Sequence, residues 1–363
     1  MNLCKKCILD SNFPETRIDE NGVCNHCNTH KVYEPIGEEA LKAKFEKAKR
    51  KKRTYDVLVP FSGGKDSSYI IYLAKNVYKL KVLAFTYDNG FFSSLALENI
   101  QRTIKLLNVD HIFYHTNQQT LLKIYRQSLV ASGDLCGVCG IGIMNSIQKI
   151  SHDWRIPLIL LGHSPVEDGS FSPEDIYDVH RLKTILKERS DLSSSEIKSF
   201  LIYPKMNYFS TWVLTKLGYF GEKINPLYYI PMKTDNEIAE ILKKEIGWQD
   251  SQHSGFTKHF DCIIEPFTNY VRDRRFGYSR RVGQLSTMVR NGEIDRDEAL
   301  SVYNMDNTGT PPSNIDQIKD LLDLSNKDID DLAKIEPNKY KWALSKENRI
   351  FRKVRTMLHV KHK

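Results

Sequence analysis

The chain has 363 residues, 40% hydrophobic and 27% charged, with a net charge of +8. That length suggests two or three domains, and the composition is globular rather than disordered or low-complexity. The mild positive charge suits phosphate-bearing small molecules as well as it suits RNA. No apolar run is long enough to cross a bilayer and the N-terminus has no signal-peptide pattern, so a cytoplasmic location without a membrane partner is expected.

Residues 1–36 carry Cys4-x-x-Cys7 and Cys24-x-x-Cys27, with sixteen residues between the pairs. Most of the seven cysteines lie in C-x-x-C pairs, and in a chain with no export pattern this points to metal rather than disulfides. Each pair makes a tight knuckle presenting two thiolates, and a hairpin turning at Asn21-Gly22 brings the knuckles around one tetrahedral Zn²⁺. Four thiolates close the coordination sphere, so the ribbon reads as structural. Buried free thiols are the alternative, but so short and polar a segment has no core of its own. His26 reads as a neighbour of the site. Residues 37–54 form a charged, helix-favouring connector; a basic arm for nucleic acid is the less favoured reading.

The core domain spans residues 55–177. Val57, Leu58 and Val59 read as a buried parallel strand, and the run from Ser67 to Leu73 continues apolar at helical spacing. Ser62-Gly63-Gly64-Lys65-Asp66-Ser67 therefore sits at a strand-to-helix turn. Such a turn aims free backbone N–H groups and the positive end of a helix dipole at one spot, which suits phosphate. The two glycines permit close backbone approach to an anion. Ser62, Ser67 and Ser68 add hydroxyls and Lys65 adds a mobile charge. The Walker A spacing is absent. An ordinary Gly-Ser turn is the alternative, and the flanking strand and helix argue against it.

Further strands are expected at Lys81–Asp88, His111–His115 and Ile156–Leu161, with helices at Leu95–Leu107 and Leu121–Ser132. This alternation predicts an α/β fold with a doubly wound parallel sheet. Ligands in such sheets bind beyond the strand C-termini, where the Ser62–Ser67 loop, Asp88, and Gly162-His163 all fall. Cys136-Gly-Val-Cys139 followed by Gly140 reads as a glycine-rich turn between the third and fourth strands.

Residues 178–363 read as mainly helical. Ser193-x-x-Glu196, Thr234-x-x-Glu237 and Asp295-x-x-Glu298 are capping patterns, and Gly247 closes the helix that Thr234 opens. Arg272, Arg274, Arg275, Arg280 and Arg281 form the densest basic cluster, interleaved with Phe276 and Tyr278. Guanidinium forks bind diphosphates and carboxylates bidentately, so this is the expected substrate-binding stretch; a solvated helical face is the alternative. His253 and His259 are weaker acid–base candidates.

The loop resembles the pyrophosphate loop of the N-type ATP pyrophosphatases, whose fold is adenine-nucleotide alpha-hydrolase-like. The whole chain is similar to the N-acetyl sugar amidotransferases of bacterial surface-polysaccharide biosynthesis. The resemblance is carried by the ribbon from Cys4 to Asp10, by the run from Ser62 to Tyr69, and by the Cys136–Cys139 stretch. In the C-terminal part it is carried by Arg275–Arg281, Leu285-Ser286 and Asp297–Leu300. It implies that the loop, from Ser62 to Ser68, cradles the β,γ-phosphates of ATP, with Ser62, Lys65 and Asp66 catalytic. Asp88, Gly162, His163 and Lys233 would complete the nucleotide site. Mg²⁺ would be held by Asp66 and by Glu167 or Asp168, where Gly162-His163-Ser164-Pro165-Val166-Glu167-Asp168 departs from the family's G-H-N-x-D-D. The implied reaction adenylates a sugar acetamido oxygen, and ammonia then displaces AMP to leave an acetamidino group. The substrate would be a nucleotide-sugar or a nonulosonic acid. No glutaminase constellation is present in the sequence, so ammonia is expected from separate glutaminase and synthase-like subunits. Two other readings stay open. One is a tRNA thiolase of the same superfamily, with Cys136, Cys139 and Cys262 holding a 4Fe–4S cluster. The other is a non-enzymatic, nucleotide-binding zinc scaffold.

Overall fold

Alternate residues of the central strands enter two different hydrophobic layers, and that division sets the architecture. Val57, Val59, Val82 and Ala84 belong to one buried layer, and Leu58, Leu83 and Phe85 to the other. A strand buried on both faces reads as a continuous apolar run, which is why Val57-Leu-Val59 carries no polar alternation. The computed structural model describes residues 3–165, 178–189, 192–203, 208–251, 260–306, 309–336, 339–346 and 350.

After a short helical turn in the ribbon, α1 (Asn25–Asn28), comes the connector helix α2 (Glu38–Lys49). The core domain follows as β1 (Val57–Pro60), α3 (Lys65–Tyr72), β2 (Val82–Tyr87), α4 (Ser94–Leu107), β3 (Asp110–Tyr114), α5 (Gln118–Ser132), α6 (Cys136–Asp153) and β4 (Leu158–Leu160). The described C-terminal elements are α7 (Val179–Arg189), α8 (Ser194–Phe200), α9 (Tyr208–Lys216), β5 (Glu222–Ile224), α10 (Asp235–Ile246), α11 (Glu265–Phe276), α12 (Arg280–Asn291), α13 (Arg296–Asp306), α14 (Ile315–Leu322) and α15 (Asn326–Leu332). The strands form one parallel sheet in the order β3-β2-β1-β4-β5.

Residues from α2, α3, α4 and α10 cover one face of the sheet, among them Leu41, Phe45, Ile70, Ile100 and Leu242. Helix α6 covers the other with Ile147 and Ile150. The expected doubly wound α/β sheet is thus present, with the cysteine ribbon before it and helices after it. A third apolar layer joins α5 to α7, α14 and α15. A fourth joins the ribbon to α12 and α13 through Phe13, Tyr278, Leu285 and Met288. The ribbon therefore borrows its core from the C-terminal helices, as its polarity demands.

Two expectations need correction. The Cys136–Cys139 stretch is the first turn of α6 and not a glycine-rich turn. The Asp134 carboxylate accepts from the Gly137 amide at 3.0 Å and secures that helix start. Further along the helix Gly142 has a packing role: a Cβ there would stand 2.5 Å from the Tyr87 hydroxyl. Strand β5 was not foreseen, because three residues, Glu222-Lys-Ile, carry no strand signature. Its pairing with β4 supplies the structure. The capping boxes at Ser193 and Thr234 are formed, and Gly247 ends α10 in the left-handed conformation. No helix of the described residues is long and apolar enough to cross a membrane.

Candidate functional site

The loop from Ser62 to Lys65 leaves β1 and enters α3 at the C-terminal end of the sheet. Gly64 is the N-cap, so the first amides of α3 have no intrahelical acceptor. Gly63 has φ +79°, and a Cβ there would lie 2.3 Å from the Ala96 carbonyl oxygen at the start of α4. Both the backbone conformation and the space require glycine. The indole Nε1 of buried Trp248 donates to the Gly63 carbonyl at 3.0 Å. The Ser62 and Ser67 hydroxyls lie 3.2 Å apart on the open side of the loop. Ser68 is fully buried, and its hydroxyl donates to the Gly64 carbonyl at 2.8 Å. Gly162, at the end of β4, packs against the start of α3, where a Cβ would stand 3.5 Å from the Ser67 amide.

Lys65 sits between two carboxylates. Its ammonium is 3.0 Å from Asp66 and also pairs with Asp235, the first residue of α10. Burial works against its charge, yet the two carboxylates outweigh that and hold the lysine above its ordinary value. Glu293, just past α12, is close enough to feel both Asp235 and Lys65; burial, then the Asp235 charge, raises its carboxyl. Asp88 accepts from the Gly90 amide at 3.0 Å and pairs with His115 at 2.9 Å. His163 and Lys233 are exposed, and Lys233 lies near Glu237. Glu167, Asp168, His253 and His259 lie outside the described residues.

Beside the loop is a cavity of about 190 Å³ lined by Ser62, Ser67, Tyr87, Asn89, Asp261 and Cys262, with walls that include Phe61, Phe85 and Phe92. Asp261 and Cys262 reach it because their segment forms an antiparallel bridge, Phe92 to Cys262, at the mouth of the sheet. Of the later cysteines, Cys262 lines the cavity, and Cys139 and Cys136 lie near enough to act on its thiol. Each thiol is raised by burial first. Cys139, pushed up to about 12, then feels Cys136, and Cys262 feels Cys139 and Cys136.

The five arginines separate in space. Arg272 and Arg280 are near enough to act on Cys136. The Arg272 guanidinium lies 3.8 Å from buried Asp134. Arg275 stacks on Phe276 and donates to the carbonyls of Ile335, Gly133 and Glu336. Arg274 is exposed and donates to the Tyr270 hydroxyl at 2.8 Å. Arg281 is buried in α12. The structure thus places Arg272 and Arg280 near Cys136 and uses Arg275 to tie α11 to the backbone at Gly133, Ile335 and Glu336.

The ribbon thiols of Cys4, Cys7, Cys24 and Cys27 lie within 4.8 Å of one another. The turn at Asn21-Gly22 forms as expected, with Asp19 and Val23 paired and Gly22 at φ +79°. Backbone amides of Lys6, Cys7 and Cys24 point at the Cys4 sulfur, and that of Cys27 at the Cys24 sulfur. Hydrogen bonds from Cys24 and Cys27 pull the Cys7 thiol well down. Four thiols with amide support fit a single tetrahedral metal ion such as Zn²⁺. Arg290 reaches the Cys7 sulfur, and Arg296 donates to the carbonyls of Cys4 and Cys7 at 3.1 Å. His26 is not among the clustered ligands.

Sequence reasoning missed Trp248, Asp235, Glu293 and Asp261, all from the second half of the chain. No local pattern marks them; only the fold puts them at the loop.

The site therefore defines a parallel, doubly wound domain with an anion-suited loop at its first strand-to-helix turn, backed by a cysteine ribbon and a helical C-terminal part. Residues 253–355 match the family model described as "LPS biosynthesis protein WbpG-like, C-terminal domain". A Methanocaldococcus jannaschii protein described as uncharacterized protein MJ1599 is 26% identical over 300 residues, covering 82% of this chain and 91% of that one. The U34-tRNA thiolase NcsA from Methanococcus maripaludis, solved with its 4Fe–4S cluster, is 16% identical, with a TM-score of 0.34 over 80% of this chain and 86% of its own. The NH3-dependent NAD synthetase from Campylobacter jejuni is 15% identical, with a TM-score of 0.30 over 60% of this chain and 96% of its own.

Proposed function

We propose that this chain is an ATP-dependent, AMP-forming amidotransferase that converts a sugar acetamido group to an acetamidino group in bacterial lipopolysaccharide or related surface-glycan synthesis. The observation that carries the reading is the loop: the Ser62 and Ser67 hydroxyls border a cavity with largely apolar walls at the N-terminus of α3, whose first residue, Lys65, adds a charge paired with Asp66 and Asp235. The match of residues 253–355 to a lipopolysaccharide-biosynthesis domain supports the pathway. An amide oxygen is a poor leaving group. Attack of that oxygen on the ATP α-phosphate turns it into an AMP ester, and pyrophosphate departs. Ammonia then adds to the imidate carbon and AMP leaves. The protein's tasks are to hold the departing pyrophosphate and to keep water from the imidate. Ser62, Gly63, Gly64, Lys65, Ser67 and the α3 amides serve the first, with Asp66 the first candidate for Mg²⁺. Arg272 and Arg280, the two arginines near Cys136, are the substrate-anion candidates. Ammonia comes from separate glutaminase and synthase-like partners, and the ribbon holds Zn²⁺ as a structural ion. The test is to combine ATP, Mg²⁺, ammonia and candidate acetamido sugars, then look by mass spectrometry for a product about one dalton lighter.

A second reading is tRNA thiolation. It is favoured by Cys262, which lines the cavity and has Cys139 and Cys136 near enough to act on its thiol. Three thiols there would suit a 4Fe–4S cluster with one open iron, which when bound supplies a site for sulfur. Anaerobically purified protein with visible iron–sulfur absorbance, and tRNA that co-purifies, would favour it. Colourless protein that forms amidine would exclude it.

A further inference from the structure

Resting on the amidine-forming reading, we propose that Asp261 is a catalytic residue: its carboxylate binds the N–H of the acetamido group and takes that proton as the carbonyl oxygen bonds to the α-phosphorus. Main-chain contacts fix the place of its backbone. The Ile263 amide donates to the Phe91 carbonyl at 2.8 Å, the Ser93 amide donates to the Asp261 carbonyl at 3.3 Å, and Phe92 bridges to Cys262. These contacts clamp Asp261 onto the segment that runs from β2 into α4.

The side chain faces the loop. A point where a Gly64 Cβ would stand is 3.2 Å from an Asp261 carboxylate oxygen and 3.3 Å from the Ser62 hydroxyl. Asp261 and the loop serines thus border the same cavity. Its carboxylate makes no hydrogen bond or ion pair among the described residues, whereas Lys65 is already held by Asp66 and Asp235. Asp261 is therefore not the counter-ion of the loop lysine. A bare carboxylate beside a loop built for phosphate repels the triphosphate unless a donor or a cation lies between them. An acetamido N–H is such a donor, and the amidinium product is such a cation. The aromatic walls of the cavity strengthen both interactions by excluding water.

The chemistry balances. The O–P bond forms and the bond from α-phosphorus to pyrophosphate breaks. The N–H proton moves to Asp261, leaving a neutral imidate, and passes to solvent as pyrophosphate departs. Ammonia then bonds to the imidate carbon, and the C–O bond breaks with its electron pair going to AMP. A proton shift between the two nitrogens gives the amidinium, which faces the regenerated carboxylate.

The test uses the full chain with Asp261→Asn, which keeps the shape and removes the base. MgATP affinity by calorimetry should stay within about twofold, while amidine formation and the coupled AMP release fall by about 100-fold or more. Asp261→Glu should restore part of the rate. If Asp261→Asn does not fold, Asp261→Ser takes its place with the same expected loss. Wild-type turnover in either variant overturns the proposal while leaving the parent reading intact. A tenfold loss of MgATP affinity with metal-free ATP binding unchanged also overturns it, because Asp261 would then be a cation ligand. If the wild-type protein makes no amidine from any acetamido sugar, the parent reading fails and this proposal fails with it.

Discussion

Replacing Gly63 with alanine tests whether the loop must have the shape described. Two penalties act together. At φ +79° an L-residue in the left-handed region costs about 1–2 kcal/mol. The added Cβ would also stand 2.3 Å from the Ala96 carbonyl oxygen and 3.0 Å from the Ile100 side chain, both on α4. The loop must therefore move, and moving it weakens the hydrogen bond from Trp248 to the Gly63 carbonyl, worth about 1 kcal/mol. A total loss of about 3–5 kcal/mol is expected. Gly277→Ala is the control. It shares a positive φ of +74° but has nothing within 4 Å of the added Cβ, so it should lose only about 1 kcal/mol. Urea denaturation of both variants, with ATP binding by calorimetry, separates the two contributions. Gly63→Ala should also weaken ATP binding by at least about tenfold, because the amides would no longer converge. Equal stability of the two variants, or unchanged ATP affinity in Gly63→Ala, would refute the loop geometry.

Two further predictions concern the rest of the molecule. Cys27→Ser should lose the ribbon's metal, measured as a fall from one Zn²⁺ per chain by elemental analysis, and should loosen α12 and α13 because their apolar layer is shared with the ribbon; zinc retained at full stoichiometry would contradict the four-thiol site. Lys223, on the edge strand β5, is lowered by burial from 10.5 to about 8, and its ammonium donates to the Met144 sulfur at 3.7 Å. Its charged form is disfavoured in the fold, so stability is lost as pH falls from 10.5 through 8 and the full penalty, at most ~3 kcal/mol, acts at pH 7. Lys223→Met should therefore stabilise the protein by about 1–3 kcal/mol at pH 7, and the gain should vanish above pH 10.5. A Tm that does not rise at pH 7 would show that water reaches the ammonium.

The alternation of strands and helices was legible because each central strand is covered on both faces, so Val57–Val59 and Val82–Phe85 had to be apolar throughout. The ribbon was legible because two C-x-x-C pairs joined by a turn at Asn21-Gly22 can bring four thiols together, and the four thiols do lie within 4.8 Å of one another. The second half of the loop's environment was not legible. Trp248 meets Gly63 across 185 residues and Asp235 meets Lys65 across 170. No short-range signal encodes such pairings. The arginine cluster shows the same limit from another side. Successive residues on a helix point about 100° apart, so neighbours in sequence serve different partners: Arg275 binds carbonyls, Arg274 meets Tyr270, and Arg272 turns toward Asp134. Helix α6 was hidden because Gly137, Gly140 and Gly142 suggest a turn, although Tyr87 packing explains Gly142.

The most direct measurement is the fate of ATP when the protein acts on an acetamido sugar with ammonia and Mg²⁺. AMP and pyrophosphate are expected in equal amounts with a product about one dalton lighter than the substrate, and all three should be lost in Lys65→Ala and Ser62→Ala. Release of ADP, or undiminished turnover in Lys65→Ala, would contradict it.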